Sequence, residues 1–276
     1  MEYPKITVVT VCYNAEKEIE ATMRSVLNQK YQNLEYILVD GASKDTTLDT
    51  INQLKEEFSE SDIIVCSEPD HGIYDAMNKG IDLATGEWIN FMNVGDEFAD
   101  ENVLREFFAM ADTKTPNDIL YGDVIYKYPF GTYYVDYHPA PDYSAFCHQA
   151  MFTRTSLMKE KHFDLNYQIA ADRNFLLQCQ REGSLYVYYP RVVAYFKHYE
   201  GFSTDALKWR KFKIEKYRME GRAKDWHYYS LVIGNFLQSQ FHIRNPWVDS
   251  EARELEKIES NKRFRKISER NGKSIN

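Results

Sequence analysis

Hydrophobic and polar positions alternate between two periods along the first hundred residues. The stretch "KITVVTVCY" is a continuous β-branched run, the pattern of a strand covered on both faces. In "NAEKEIEATMRSVLNQ", Ile19, Met23, Val26 and Leu27 recur at helical spacing, and Asn14 stands where an N-cap belongs. "LEYILVD" predicts a second strand, and "SKDTTLDTINQLKEEF" a second helix opened by Ser43 or Asp45. "DIIVCSE" and "EWINFMN" predict two more strands, with the helix "IYDAMNKGIDLA" between them. Strands alternating with helices imply crossover connections and a parallel sheet covered on both faces. Ligands of such sheets sit at the carboxyl ends of the strands. Those ends carry Thr10 to Tyr13, Asp40, Glu68 to Asp70, and Asn93 to Asp96, so three of the four finish in an acid.

The pattern changes in the second half. "DILYGDVIYKYPFGTYYVDYH" alternates around Phe130-Gly131 and predicts a tyrosine-rich strand pair. In "YQIAADRNFLLQCQREG", Asp172, Phe175, Leu176 and Cys179 fall at i, i+3, i+4 and i+7, so a carboxylate shares the inward stripe of a helix. Such an acid either caps the helix start or serves a site, and the helix dipole keeps it ionised in both cases. Cys147-His148 does not read as a nucleophile and its base, because neighbours on a strand point to opposite faces. Beyond residue 204, "DALKWRKFKIEKYRMEGR" predicts a basic amphipathic helix, and "WHYYSLVIGNFLQSQFHI" is aromatic-rich but too short and polar to span a bilayer.

Composition sharpens this outline. A chain of 276 residues holds one large domain, or one domain with an appendage, and 43% apolar with 28% charged residues is ordinary for a globular protein. The start shows no basic region followed by an apolar core, and the scattered Cys12, Cys66, Cys147 and Cys179 read as reduced thiols, so a cytoplasmic location is expected. The net charge of −8 hides an asymmetry: residues 205–276 carry 17 Lys/Arg against 10 Asp/Glu, and the rest 17 against 32. An acidic body argues against nucleic-acid binding. An anionic ligand on such a body needs a cation as mediator.

The end of the fourth strand, "MNVGDEF", is where that cation would sit. Asn, Gly and Asp also make plain turns for backbone reasons alone. The first loop, "CYNAEKE", contains no glycine, which excludes the dinucleotide fingerprint and the P-loop, and argues against nucleotidyl transfer.

"TVVTVCYNAEKEIEATMRSVLNQKYQNLEYILVDGASKDTT" followed by "SEPDHGIYDAMNKGIDLATGEWINFMNVGD" resembles the catalytic domain of inverting family 2 glycosyltransferases. The resemblance is strong over residues 5–96, looser to about residue 204 and absent from the tail. It implies a GT-A-type, Rossmann-like α/β sandwich with a mostly parallel central sheet, here with a C-terminal helical extension. Residues 1–204 would be the catalytic domain, with 1–98 the nucleotide-sugar-binding half and 99–204 the acceptor-side half, and 205–276 the extension. It also implies a nucleotide-diphosphate sugar, UDP-, GDP- or dTDP-linked, and Mg²⁺ or Mn²⁺.

Position by position, Thr10 and Tyr13 match the segment flanking the base, and Asp40 the acid that contacts it. Asp70, Asp75, Asn78 and Lys79 fall in the stretch that approaches the donor, although Asp75 and Lys79 also suit an i,i+4 ion pair. The family's usual Asn-x-Asp-Asp reads Asn93, Val94, Gly95 and Asp96 here. The first acid is missing, Asp96 is left as the metal ligand, and Asn93 becomes a sugar or ribose contact. Mg²⁺ binds through few carboxylates and keeps waters, so one acid suffices. Glu97 and His198 are candidate further ligands. His148 and Gln149 match a pair on the acceptor side, and Asp172 matches the general base. The implied activity is inverting sugar transfer to a glycan or lipid-linked hydroxyl in bacterial surface polysaccharide synthesis. The competing class is a non-catalytic sugar-nucleotide or glycan-binding module. The tail is expected either to lie on the inner membrane face or to pack on the body or a second copy as a homodimer.

Overall fold

The computed structural model describes residues 3–113, 117–128, 131–135, 147–197, 206–241 and 264–267. The elements expected from the first hundred residues are present: β1 (Ile6–Cys12), α1 (Ile19–Leu27), β2 (Leu34–Asp40), α2 (Thr47–Glu57), β3 (Asp62–Ser67), α3 (Ile73–Leu83) and β4 (Trp88–Phe91). β5 (Glu97–Phe98), α4 (Val103–Met110), β6 (Ile119–Tyr128), β7 (Gly131–Val135), β8 (Met151–Arg154), α5 (Thr155–Lys161), α6 (Ala171–Arg181) and β9 (Tyr186–Lys197) follow. The tail adds α7 (Ala206–Met219), α8 (Trp226–Phe241) and β10 (Phe264–Lys266).

One sheet runs β10-β7-β6-β8-β4-β1-β2-β3, with β9 beside β6 and β5 beside β9. β3, β2, β1 and β4 are mutually parallel, and β8 joins β4 antiparallel. Every residue of β1 is buried, as its unbroken apolar run demands. α3 comes close to β1 because residue 80 is glycine: a Cβ there would stand 2.5 Å from a Val9 methyl carbon. The tyrosine-rich segment is the expected hairpin, with Tyr128 paired to Gly131. The parallel strands point their carboxyl ends the same way, so the ends of β1, β2, β3 and β4 share one edge of the domain.

Three local expectations need correction. Asn14 does not cap α1, which starts at Ile19; it sits at φ +49° and its side-chain oxygen accepts the Lys44 N–H at 2.9 Å. Ser43 does not open α2: its N–H and hydroxyl both turn back to Asp40, while Asp45 accepts the Thr47 N–H at 3.1 Å at the helix start. Cys147 and His148 are not strand neighbours, because His148–Ala150 form a 3₁₀ turn just before β8.

Candidate active site

The β1 and β2 ends build a slot. Tyr13 is 59% exposed at the end of β1, and Gly41 follows Asp40 at the end of β2. A Cβ at Gly41 would lie 2.4 Å from Asp70 Oδ2 and 3.3 Å from the Tyr13 ring, so an aromatic face, a bare backbone and a carboxylate converge here. Asp40 is fully buried and accepts the Ser67 hydroxyl at 2.7 Å and the Ser43 N–H at 3.0 Å. The two flanking loops are pinned together: the Asn14 N–H donates to Ser43 Oγ at 2.8 Å, and the Ala15 N–H to Thr47 Oγ1 at 2.7 Å. Asn14 and Ala42 both hold positive φ, which costs a non-glycine residue on the order of 1 kcal/mol and persists only where surroundings enforce it.

A second group of residues lies where β4 ends. Asp96 is 6% exposed and accepts the Gln149 amide at 2.7 Å. Burial pushes its carboxyl up to about 7, opposed by the Gln149 hydrogen bond and by the positive potential of His148 and Lys197. The preceding residue in the turn, His148, spans the other way. Its Nε2 lies 3.2 Å from Asn93 Nδ2, and its Nδ1 stands 3.7 Å from Asp172 Oδ2. With the Asn93 amide donating to Nε2, the Nδ1–H faces Asp172. Asn93 Oδ1 is buried with no partner among the described residues.

Asp172 occupies the first turn of α6 at the rim, with its side chain 31% exposed. Burial alone would raise its carboxyl, yet His148, the Arg173 N–H at 2.8 Å and the Tyr74 hydroxyl at 2.9 Å outweigh it and hold the group below its usual value. Behind it the interior is apolar: Ile89, Phe91, Met158, Phe163 and Phe175 line a small cavity. A carboxylate held below its usual value, oriented by two hydrogen bonds with the His148 ring beside it and backed by an apolar wall, is suited to receive one proton from a hydroxyl in front of it.

The expected residues therefore divide. Asp96, Gln149, His148, Asn93 and Asp172 form one connected set, and Tyr13, Asp40 and Asp70 a second. Thr10 is not brought to the surface: it is fully buried, its hydroxyl donating to the Met92 carbonyl at 2.6 Å beside the Tyr36 hydroxyl. Asn78 has both amide atoms committed to the Phe163 backbone, at 2.8 and 3.0 Å. Lys79 donates to the Pro69 carbonyl at 2.7 Å and pairs with Glu68 at 2.9 Å, with Asp75 4.0 Å away. Asp75 also accepts the His71 N–H at 2.9 Å, closing the start of α3. Glu97 lies in β5, and His198 falls outside the described residues. Gln149, expected on the acceptor side, donates to Asp96. Tyr74 was not anticipated; as an aromatic at a buried helix position it gave no sign of its polar partner.

Among the described residues no three His, Cys, Asp or Glu side chains converge tightly enough to hold a metal alone. The donors still suit a hard cation. Asp96 needs a positive partner to ionise fully at neutral pH, the Asn93 oxygen is unsatisfied, and Glu18 brings a second carboxylate to within 3.8 Å of where a Cβ on Gly95 would be.

Comparison with known proteins fits this geometry. The pattern of "Glycosyl transferase family 2" matches residues 7–176. A "PGL/p-HBAD biosynthesis glycosyltransferase" of Mycobacterium bovis is 32% identical over 208 residues, covering 74% of this chain and 80% of that relative. An "Uncharacterized glycosyltransferase" of Mycobacterium tuberculosis is 30% identical over 189 residues, covering 63% and 68%. Among solved structures, the mannosyltransferase PcManGT of Pyrobaculum calidifontis, in complex with GDP-Man and Mn²⁺, superposes with a TM-score of 0.64 at 17% identity, covering 80% of this chain and 65% of that one. S. aureus TarS 1-349 in complex with UDP-GlcNAc gives 0.58 at 19% identity, covering 71% and 59%. These likenesses establish the GT-A fold. With its family pattern running from β1 into the helix of Asp172, the chain belongs to glycosyl transferase family 2.

Proposed function

We propose that this protein is an inverting glycosyltransferase that moves a sugar from a nucleotide-diphosphate donor to a hydroxyl of a glycan or lipid-linked acceptor. One observation carries the reading. The consecutive residues His148 and Gln149 reach Asp172 and Asp96 respectively, so a single turn ties a proton acceptor to the acid at the phosphate end. The nucleotides bound by TarS and by the mannosyltransferase support a donor of this class.

The base of the donor lies in the slot of Tyr13, Gly41, Asp40 and Asp70, where the ring stacks and a carboxylate accepts an N–H. Asp172 takes the proton of the acceptor hydroxyl as that oxygen attacks the anomeric carbon, and the nucleoside diphosphate leaves from the opposite face. His148 and Tyr74 hold the carboxylate in line and add nothing covalent. When bound, Mg²⁺ or Mn²⁺ neutralises charge on the diphosphate, with Asp96 as its protein ligand and Asn93 beside it. The tail supports a peripheral membrane contact for a lipid-linked acceptor. On α8, Trp226, Tyr229 and Ile233 share one exposed face, and α7 beside it is basic.

Asp172→Asn tests the base. The amide keeps the oxygen that accepts from Tyr74 and Arg173 but takes up no proton, so the melting temperature should hold while kcat falls by roughly 10² to 10⁴. Release of nucleoside diphosphate is read with saturating UDP-, GDP- and dTDP-sugars. A kcat within about threefold of wild type removes Asp172 from the chemistry. A wild-type protein that binds a donor and never releases nucleoside diphosphate is a binding module.

A further inference from the structure

α7 belongs to the basic tail, yet it carries one of the most buried acids in the protein. Glu215 is only 6% exposed. Its Oε1 accepts the Gln168 N–H at 2.8 Å, and its Oε2 accepts the Ile169 N–H at 3.0 Å and the Ala170 N–H at 2.9 Å. Three consecutive amides converging on one anion form a nest, filled here by a side chain 45 residues further along from Ala170.

The place of this nest gives it meaning. Ala170 is the N-cap of α6, and Asp172 sits two residues on. The amides around a helix start are orphans that a capping side chain normally satisfies. Alanine has no such group, and Glu215 instead anchors, from another element, the N-cap amide and the two amides that lead into it. From the opposite side, the Tyr74 hydroxyl lies 3.0 Å from the Ile169 carbonyl and 2.9 Å from Asp172 Oδ1. The segment before α6 is therefore gripped between α3 and α7. α7 continues along α6: the Arg173 guanidinium stands 5.8 Å from the Phe212 ring, and Arg181 donates to the Met219 carbonyl at 3.0 Å. Phe212, Glu215 and Met219 recur at i, i+3 and i+7, one face of the helix.

We infer that Glu215 is a positioning residue for Asp172, and that the C-terminal extension completes the catalytic unit rather than trailing from it. The inference rests on Asp172 as the base. The backbone that carries Asp172 is fixed only as well as the first turn of α6 is fixed, and the N-cap of that turn makes no side-chain hydrogen bond. A displacement of about 1 Å at a reacting group costs on the order of 10²-fold in rate. Loss of the cradle should thus fall on the chemical step and spare donor binding, because the base slot is built from the β1, β2 and β3 ends.

The test uses the full chain. Glu215→Gln is isosteric but turns an N–H₂ toward backbone N–H groups. Glu215→Asp keeps both oxygens on a shorter stem. Ile214→Val trims a buried neighbour on α7 without touching the amides. Read-outs are kcat, donor KM, melting temperature and hydrogen exchange of the 168–173 amides. The Gln variant should lose about tenfold or more in kcat with donor KM within about twofold, and its 168–170 amides should exchange faster. The Asp variant should recover part of both losses, and it carries the test alone if the Gln variant does not fold. Ile214→Val should keep wild-type kcat. Wild-type kcat in Glu215→Gln, or an equal kcat loss in Ile214→Val, overturns the inference. A fully active Asp172→Asn defeats the base assignment instead, while exchange at 168–170 still reports on the cradle. The two failures are thereby told apart.

Discussion

Replacing Asp96 by Asn in the metal-free protein should raise stability above neutral pH and leave it unchanged in acid. Asp96 is 6% exposed, has one side-chain hydrogen bond, from Gln149, and burial lifts its carboxyl from 3.8 to about 7. Between those two values the folded protein keeps a proton that the unfolded chain has released, so stability falls as pH rises. The contribution is fully present below about pH 4 and is lost as pH rises through about 7. A rise of about 3 pKa units, at about 1.4 kcal/mol each, amounts to roughly 4 kcal/mol. For a chain of this size that is on the order of 10 °C in melting temperature. Asn stays neutral throughout and still offers an oxygen to the Gln149 amide. Thermal unfolding in EDTA, without nucleotide, from about pH 4.5 to about pH 8 reads the difference. The two proteins should melt close together at the acid end and diverge progressively between about pH 4 and about pH 7, with the Asn variant higher and the gap constant beyond. Parallel curves, or a more stable wild type at the alkaline end, would refute the reasoning. Added Mg²⁺ with a nucleoside diphosphate should close the gap by stabilising wild type alone, since a cation selects the ionised carboxylate.

Two further outcomes are expected. Gly41→Ala places a methyl 2.4 Å from Asp70 Oδ2 and against the Tyr13 ring, so calorimetry should show nucleotide affinity weakened by about tenfold with the fold intact; unchanged affinity would move the base elsewhere. Full-length protein should float with anionic liposomes and lose that binding in the Trp226→Ser, Ile233→Ser double variant; equal recovery of both would exclude α8 as a membrane-facing helix.

The parallel half was legible because its signals are local. An unbroken β-branched run, a strand of four consecutive buried residues in β4 and helices with a single apolar stripe each predict their own burial. What failed locally failed for a tertiary reason. Asn14 suits an N-cap, but its side chain is claimed by Lys44, 30 residues away. β10 is three residues long and exists by pairing with β7, so no window of sequence could announce it. The site divides the same way. Acids at strand ends were readable because a parallel sheet gathers those ends. Whether a polar residue there faces the cleft or the core was not readable, and Thr10 and Asn78 are spent on internal bonds. The links from Gln149 to Asp96, Tyr74 to Asp172 and Glu215 to Ala170 span 53, 98 and 45 residues, which only the folded chain brings together.

Gly95 shows how backbone and charge jointly shape such a departure from a family pattern. The position holds φ +93°, a region where a side chain is strained by on the order of 1–3 kcal/mol. Its N–H donates to Thr22 Oγ1 at 3.0 Å, and the same hydroxyl lies 2.9 Å from the Asp96 carbonyl, so the turn is clamped from α1 and has little freedom to relax. A Cβ there would point to within 3.8 Å of both Glu18 oxygens. An aspartate at 95 would therefore combine backbone strain with a carboxylate pressed on Glu18, whose charge already disfavours ionisation of Asp96. Glycine avoids both costs. An acid at this position is thus disfavoured both by the φ of +93° and by the neighbouring Glu18 charge.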